Sequence, residues 1–184
     1  MDGQIRVLSR KNGPLDAGVM LVGEAPGRLG AGQSGVPFSG DESGRRLDRL
    51  IDAAGWERSD IFITNAVLCN PLDDHGRNRP PRQAELTNCR NWLSSQIDVV
   101  DPLLVVALGA VALNSLGRIE QHRLTVRDSD SKPVRWLGRY LAAAYHPGAR
   151  AAIHRPFTAQ IQDFERLGVW FRSELVNDGN DARR

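Results

Sequence analysis

Val19-Met20-Leu21-Val22-Gly23-Glu24-Ala25-Pro26-Gly27 opens with four consecutive apolar residues and passes at once into two glycines and a proline. Such a stretch is a buried strand that stops at a tight turn, because glycine and proline fix a backbone that a regular strand cannot continue. The same event recurs along the chain. Apolar runs cover residues 19–22, 61–68, 103–108 and 140–145, and stretches of helical period separate them. That alternation predicts an α/β fold of three layers, with a central four-stranded parallel sheet and helices on both faces.

The helices follow from spacing. Leu47, Leu50, Ile51 and Ala54 recur at i, i+3, i+4 and i+7, Gly55 supplies a stop, and Asp41 or Ser43 is placed to cap the start. A second helix is predicted over 83–99, after Pro80 and Pro81, with Leu86, Cys89, Trp92, Leu93 and Ile97 on its buried side and Pro102 barring continuation. Residues 110–116 form a short helix in this reading. Phe157, Ile161, Phe164, Leu167 and Phe171 predict a last helix over 157–175. The expected organisation is one domain over 1–176 and a polar, frayed tail over 177–184, with the charged stretch 118–132 as a surface excursion.

Composition narrows the class. With 184 residues, 24 basic and 22 acidic side chains and 41% hydrophobic content, the chain has enough apolar material for a cored domain and is not a disordered polymer. Only Lys11 and Lys132 are lysines, so the other 22 basic residues are arginines, whose planar fork suits phosphate and carboxylate. No apolar run approaches the roughly 18 to 20 residues of a membrane span. Residues 1–13 contain no apolar stretch of the signal-peptide kind, which gives a cytoplasmic expectation. Cys69 and Cys89 are the only cysteines; they make no disulfide framework and lie in no C-x-x-C pair.

The polar residues gather where strands end, which in open α/β sheets is where ligands bind. Gly23 to Gly27 follow the first run, Asn65 to Asn70 lie near the end of the second, Gly109 follows the third and His146 the fourth. Glu24 is either a carboxylate aimed at a ligand by the turn or a solvated loop acid. Phe38, in Val36-Pro37-Phe38-Ser39-Gly40, is either core or a stacking face for a planar ligand. Asn65 interrupts a buried strand, and an unpaired buried amide costs about 1 to 3 kcal/mol, so backbone or ligand must satisfy it. His146, in Tyr145-His146-Pro147-Gly148, is structural or catalytic, and His154 follows between Arg150 and Arg155. Gly30-Ala31-Gly32-Gln33-Ser34-Gly35 spells G-x-G-x-x-G, yet it begins well beyond the strand end and runs into Val36-Pro37-Phe38 instead of opening a helix. It is therefore expected to be a mobile loop over the cleft and not a dinucleotide site.

Six motifs in one order resemble a known family: Gly23-Glu24-Ala25-Pro26-Gly27, Val36-Pro37-Phe38-Ser39-Gly40, Thr64-Asn65 with Cys69 beyond it, Asn78-Arg79-Pro80-Pro81, the stretch from Pro102 to Gly109, and His146-Pro147. The chain is similar to the uracil-DNA glycosylase superfamily, most of all to its family four, the iron-sulfur type. The resemblance implies a monofunctional enzyme of base-excision repair that flips uracil out of DNA and hydrolyses its N-glycosidic bond. Asn65 would read the base edge, Phe38 would stack on the ring and His146 would face the charge developing on the uracil O2. Gly23, Glu24, Ala25, Pro26 and Gly27 would hold the water and the sugar side. Ser43 at a helix start, Arg150, Arg155 and Arg79 are expected to meet phosphate. A lyase step is not expected, since no lysine lies near these residues. The implied partner is uracil-containing DNA, single-stranded or mismatched, met by a monomer in the cytoplasm and nucleoid. A pI of about 8.8 lies below the range of about 9 and above that marks an electrostatic DNA binder.

The chain departs from the family in three ways. Family four holds a [4Fe-4S] cluster on four cysteines, and here only Cys69 and Cys89 fall near cluster positions, so no cluster and no other cofactor is expected. Arg28, Leu29 and Gly30 stand where the family often carries acids, within a lengthened glycine loop. Ala25 stands where the classical members place a water-activating aspartate, and the Arg-Arg-Ile-His sequence by which one branch traps the sugar is missing between Cys69 and Cys89. Two alternatives remain open from sequence: a weak or inactive member that binds DNA or a modified base, and an enzyme for a deaminated purine such as hypoxanthine. A nucleotide-cofactor enzyme ranks third.

Overall fold

The computed structural model describes residues 5–130 and 132–181, with side chains given as far as Glu174. Its centre is a sheet of five strands: β1 (Val19–Gly23), β2 (Ile61–Asn65), β3 (Leu104–Leu108), β4 (Val134–Trp136) and β5 (Arg139–Ala144), in spatial order β2-β1-β3-β5-β4. The four strands expected from the apolar runs are mutually parallel, in registers such as Val19 with Ile61, Val105 with Leu141 and Gly23 with Asn65.

The fifth strand corrects the strand count. β4 pairs antiparallel with β5 across a two-residue turn in which Leu137 (φ 48°) and Gly138 (φ 73°) both take positive φ, the backbone of a tight hairpin. Three residues with two exposed side chains are too short and too polar to register as an apolar run. β2 is also shorter than its run. Ala66, Val67 and Leu68 are buried but leave the strand, as Ala66 and Val67 donate their N–H groups to the carbonyls of Gly23 and Glu24.

Alternation along each strand builds the three layers. Val19, Leu21, Ile63, Val106 and Ala144 face one side, packed under α2 (Glu42–Ala54) and α5 (Phe157–Asp181). Met20, Val22, Phe62, Val105 and Ala143 face the other, under α3 (Gln83–Val100) and α4 (Ala110–Gly117). In α2 the predicted stripe Leu47, Leu50, Ile51 and Ala54 is buried, each large side chain contributing about 1.5 to 3 kcal/mol relative to exposure. Asp41 is its cap, accepting the Gly44 N–H at 2.9 Å, and Gly55 ends it in the left-handed region.

Three other expectations change. Residues 30–35 are not a loop throughout, because a single-turn helix, α1 (Ala31–Ser34), forms there and stops at Gly35. Trp92 is 46% exposed, since the inward stripe of α3 is Leu86, Leu93, Ile97 and Val100, with Gln96 joining it to bond Thr64 at 2.7 Å. A guanidinium covers the indole instead, that of Arg6, at 4.9 Å from the ring centroid. The last helix runs to Asp181, into the expected frayed tail; residues 182–184 lie outside those described, as do residues 1–4 and Ser131. The charged excursion after α4 tucks Ile119, Leu124 and Val126 against the core. No helix among the described residues is long and apolar enough to cross a membrane.

Candidate active site

Residues at the carboxyl ends of β1, β2 and β5 line one open cleft of about 630 Å³, and Gly109, after β3, lies against His146. Its floor is set by a three-way contact. A Cβ on Gly23, the last residue of β1, would lie 2.5 Å from Asn65 Oδ1 and 2.6 Å from the Phe38 ring, so only glycine lets the strand, the amide and the ring approach. Phe38 itself sits at φ 47°, a region that costs a bulky L-residue on the order of 1 to 3 kcal/mol. Its neighbours enforce this conformation, since Arg58 donates to the carbonyls of Pro37 and Phe38 while pairing with Asp48 at 2.7 Å. The ring thereby packs on the edge of the core and lines the cleft at the same time.

Asn65 ends β2 with 2% exposure. Its Oδ1 is buried and accepts no hydrogen bond among the described residues. Next to it, Thr64 turns the other way and donates to Gln96, which in turn donates to the Trp92 carbonyl at 2.8 Å, so the strand end is pinned to α3. A buried acceptor with nothing to accept is uncommon and expensive, and here it borders a cavity.

His146 forms the opposite wall, 5.8 Å from Phe38 between ring centroids and tilted by 39°. Its Nδ1 accepts the Gly148 N–H at 2.9 Å, which places the ring proton on Nε2. Burial holds its pKa below the ordinary value, with the Asp41 carboxylate pulling weakly the other way, so the imidazole is neutral at neutral pH. Burial likewise pushes Glu24 up, making this carboxyl easier to protonate than a solvated one. Glu24, Ala25, Pro26 and Gly27 form one edge of the cleft; Ser43, Arg150 and His154 form the rim near His146.

Two expected phosphate contacts are corrected. Arg155 does not line the cleft. Its Nε and Nη2 grip Asp163 at 2.8 and 2.5 Å, a buried carboxylate that Arg166 also reaches. Arg79 does border the cleft, but its fork is filled by Glu85 at 2.6 and 2.8 Å and by the Leu72 carbonyl at 2.9 Å. The pairing holds the Glu85 carboxyl down at about 2, and it ties the loop after β2 to the start of α3.

Asp41 and Asn78, which were not expected there, join Asn70 in lining the cleft. Asp41 was legible only as a cap. The two amides meet at 3.3 Å in a loop closed by a bridge between Leu72 and Asn78, a juxtaposition with no local signature. Cys69 and Cys89 are both half-buried; burial, then the neighbouring Cys89, pushes the Cys69 thiol up, against the pull of Arg6. Among the described residues no group of three or more His, Cys, Asp or Glu side chains is arranged to hold a metal.

Comparison with known proteins agrees with the geometry. A profile described as the Uracil DNA glycosylase superfamily matches residues 10–166. A Type-4 uracil-DNA glycosylase of Saccharolobus solfataricus is 39% identical over 185 residues, covering 94% of this chain and 83% of the relative. One from Thermotoga maritima is 33% identical over 136 residues, 73% of this chain and 67% of the relative. A Type-5 uracil-DNA glycosylase of Pyrobaculum aerophilum is 33% identical over 148 residues, 73% of this chain and 63% of its own.

Proposed function

The chain belongs to the Uracil DNA glycosylase superfamily, and on that premise we propose that it is a monofunctional hydrolase that excises uracil from DNA. The observation that carries the reading is the buried, unpartnered Asn65 Oδ1. A uracil ring stacked on Phe38 offers an N–H at N3 beside the O4 carbonyl, and an asparagine amide supplies the matching acceptor and donor. Filling the cleft with that edge removes the cost of the empty acceptor, so affinity for the right base is prepared in the empty protein.

The chemistry then needs a place for negative charge. Breaking the bond between C1′ and N1 leaves a uracil anion whose charge resides largely on O2 and O4, and the neutral His146 presents Nε2–H as a donor for O2. A donor of this kind, set before the reaction, is worth about 2.7 to 4 kcal/mol. Glu24 and the backbone from Gly23 to Gly27 enclose the sugar side. Ser43 and Arg150 at the rim are the contacts offered to the flanking phosphates. Lys11 is bonded to the Ser34 carbonyl, and among the described residues neither it nor Lys132 lines the cleft, which supports hydrolysis without a lyase step.

The cleft operates without an iron-sulfur cluster in this reading. A [4Fe-4S] cluster takes four thiolates, and Cys69 and Cys89 are the only cysteines. Beside them Val7 donates to the Leu68 carbonyl at 2.8 Å, and Arg6 lies over Trp92, so a backbone bond and a cation occupy the region. These residues do not fit the group.

The test is release of free uracil from single-stranded and G:U oligonucleotides by the purified protein in the presence of a chelator. A second reading, binding without turnover, is favoured by one observation: α1 and its flanks carry no acid. Retarded migration of uracil-containing DNA with no free base in the same samples would select it.

A further inference from the structure

Among the described residues, Asp41 and Glu24 are the carboxylates that line the cleft, and Asp41 also caps α2. One oxygen is committed: Oδ1 accepts the Gly44 N–H at 2.9 Å. The other is not, since no donor among the described residues bonds Oδ2. Instead Oδ2 lies against the turn that closes the cleft edge. A Cβ built on Gly27 or on Gly30 would each stand 2.9 Å from it, so the two glycines leave the room that the oxygen occupies. A cleft-lining carboxylate with one oxygen anchored is held in a single orientation, and the other oxygen, with no donor on it, is left to accept from a water.

Position separates it from Glu24. Asp41 lies on the His146 side of the cleft: Ser43, two residues on, reaches within 3.4 Å of the Cβ position of Gly148, whose N–H holds the His146 ring. Glu24 follows Gly23, which packs on Asn65 and Phe38, and its carboxyl is biased by burial toward the protonated form.

Resting on the glycosylase reading, we infer that Asp41 holds and deprotonates the attacking water through Oδ2, in place of the acids absent from the loop after Gly27. The water oxygen bonds to C1′ as the C1′–N1 electron pair departs with the base. The water proton passes to Oδ2 and on to solvent, and the base anion takes a proton from solvent, so the products are free uracil and an abasic sugar.

Asp41→Asn separates the two roles of this residue, because asparagine caps a helix as well as aspartate but carries no basic oxygen. Under the inference, kcat for uracil release falls by at least about 100-fold while KM stays within about threefold, an effect comparable to other single catalytic groups, and the melting temperature is kept. Asp41→Ser, a second good cap, behaves alike and serves if the asparagine variant does not fold. Release by either folded variant within about threefold of the parent overturns the role of Asp41 and leaves the glycosylase reading standing. A parent that releases no uracil overturns both.

Discussion

Asn65, the last residue of β2, and Arg79, in the connection from β2 to α3, border the same cleft, yet they are opposites in hydrogen bonding. The arginine has its fork filled by Glu85 and a backbone carbonyl; the asparagine has a buried carbonyl oxygen with nothing on it. The difference marks which polar residues maintain the fold and which await a ligand. A satisfied ion pair contributes to stability and has little left to offer a substrate. An unsatisfied buried acceptor costs about 1 to 3 kcal/mol, and in the proposed reading the base edge removes that cost at Asn65.

The sharpest way to break this contrast is at Asn65. Asn65→Asp puts an acceptor where the uracil O4 needs a donor, and uracil release is expected to fall by about 10⁴-fold, as for sites built around one hydrogen-bonding edge. Asn65→Ala should lose activity while the melting temperature holds or rises, since the empty acceptor goes with it. If both variants cleave like the parent, the assigned site is wrong. His146→Ala comes next, with a loss of about 10² to 10³ in kcat for one oxyanion donor. Arg79→Ala should do the reverse of the asparagine change. A lower melting temperature with uracil release retained is expected, since the Glu85 pair and the Leu72 carbonyl lose their donor; circular dichroism melts would measure it.

Acid titration sharpens the comparison further. His146 has a folded pKa below its ordinary 6.5, so below 6.5 the unfolded chain binds the proton that the folded state refuses. Stability from this residue is therefore complete above pH 6.5 and declines as the pH falls toward the lowered value. Melting temperatures of the parent, minus those of His146→Ala, should shrink over that interval; a constant difference would mean that the ring is not held neutral. Glu24, raised by burial, acts in the opposite sense, its contribution being lost as the pH rises through its folded value. The smallest effect is expected at Arg6→Ala. It removes the cation over Trp92 and should cost about 0.5 to 1 kcal/mol with uracil release unchanged.

Much of the scaffold was legible because it obeys local rules. The four parallel strands, the α2 stripe and the cap alternatives rest on periodicity and on the backbone limits of glycine and proline. β4 escaped because three residues with exposed side chains bury too little to leave a pattern. Trp92 misled for a related reason: it lies about 100° around the helix from Leu93, so hydrophobicity alone placed on the core face a ring that a guanidinium covers. Arg155 and Arg79 were misjudged because an arginine near a cleft looks the same in sequence whether or not a carboxylate from a distant turn has already taken it.

What the sequence determined by itself was the order of buried strands and the clustering of Gly23, Asn65 and His146 at their ends, since these follow from chain connectivity and from alternation of apolar and polar residues. Tertiary structure alone decided which polar atoms are left empty, that Phe38 faces the cleft, and that Asp41 faces it with one free oxygen. Those properties depend on what lies within a few ångströms from residues far apart in the chain, and no local pattern carries that information.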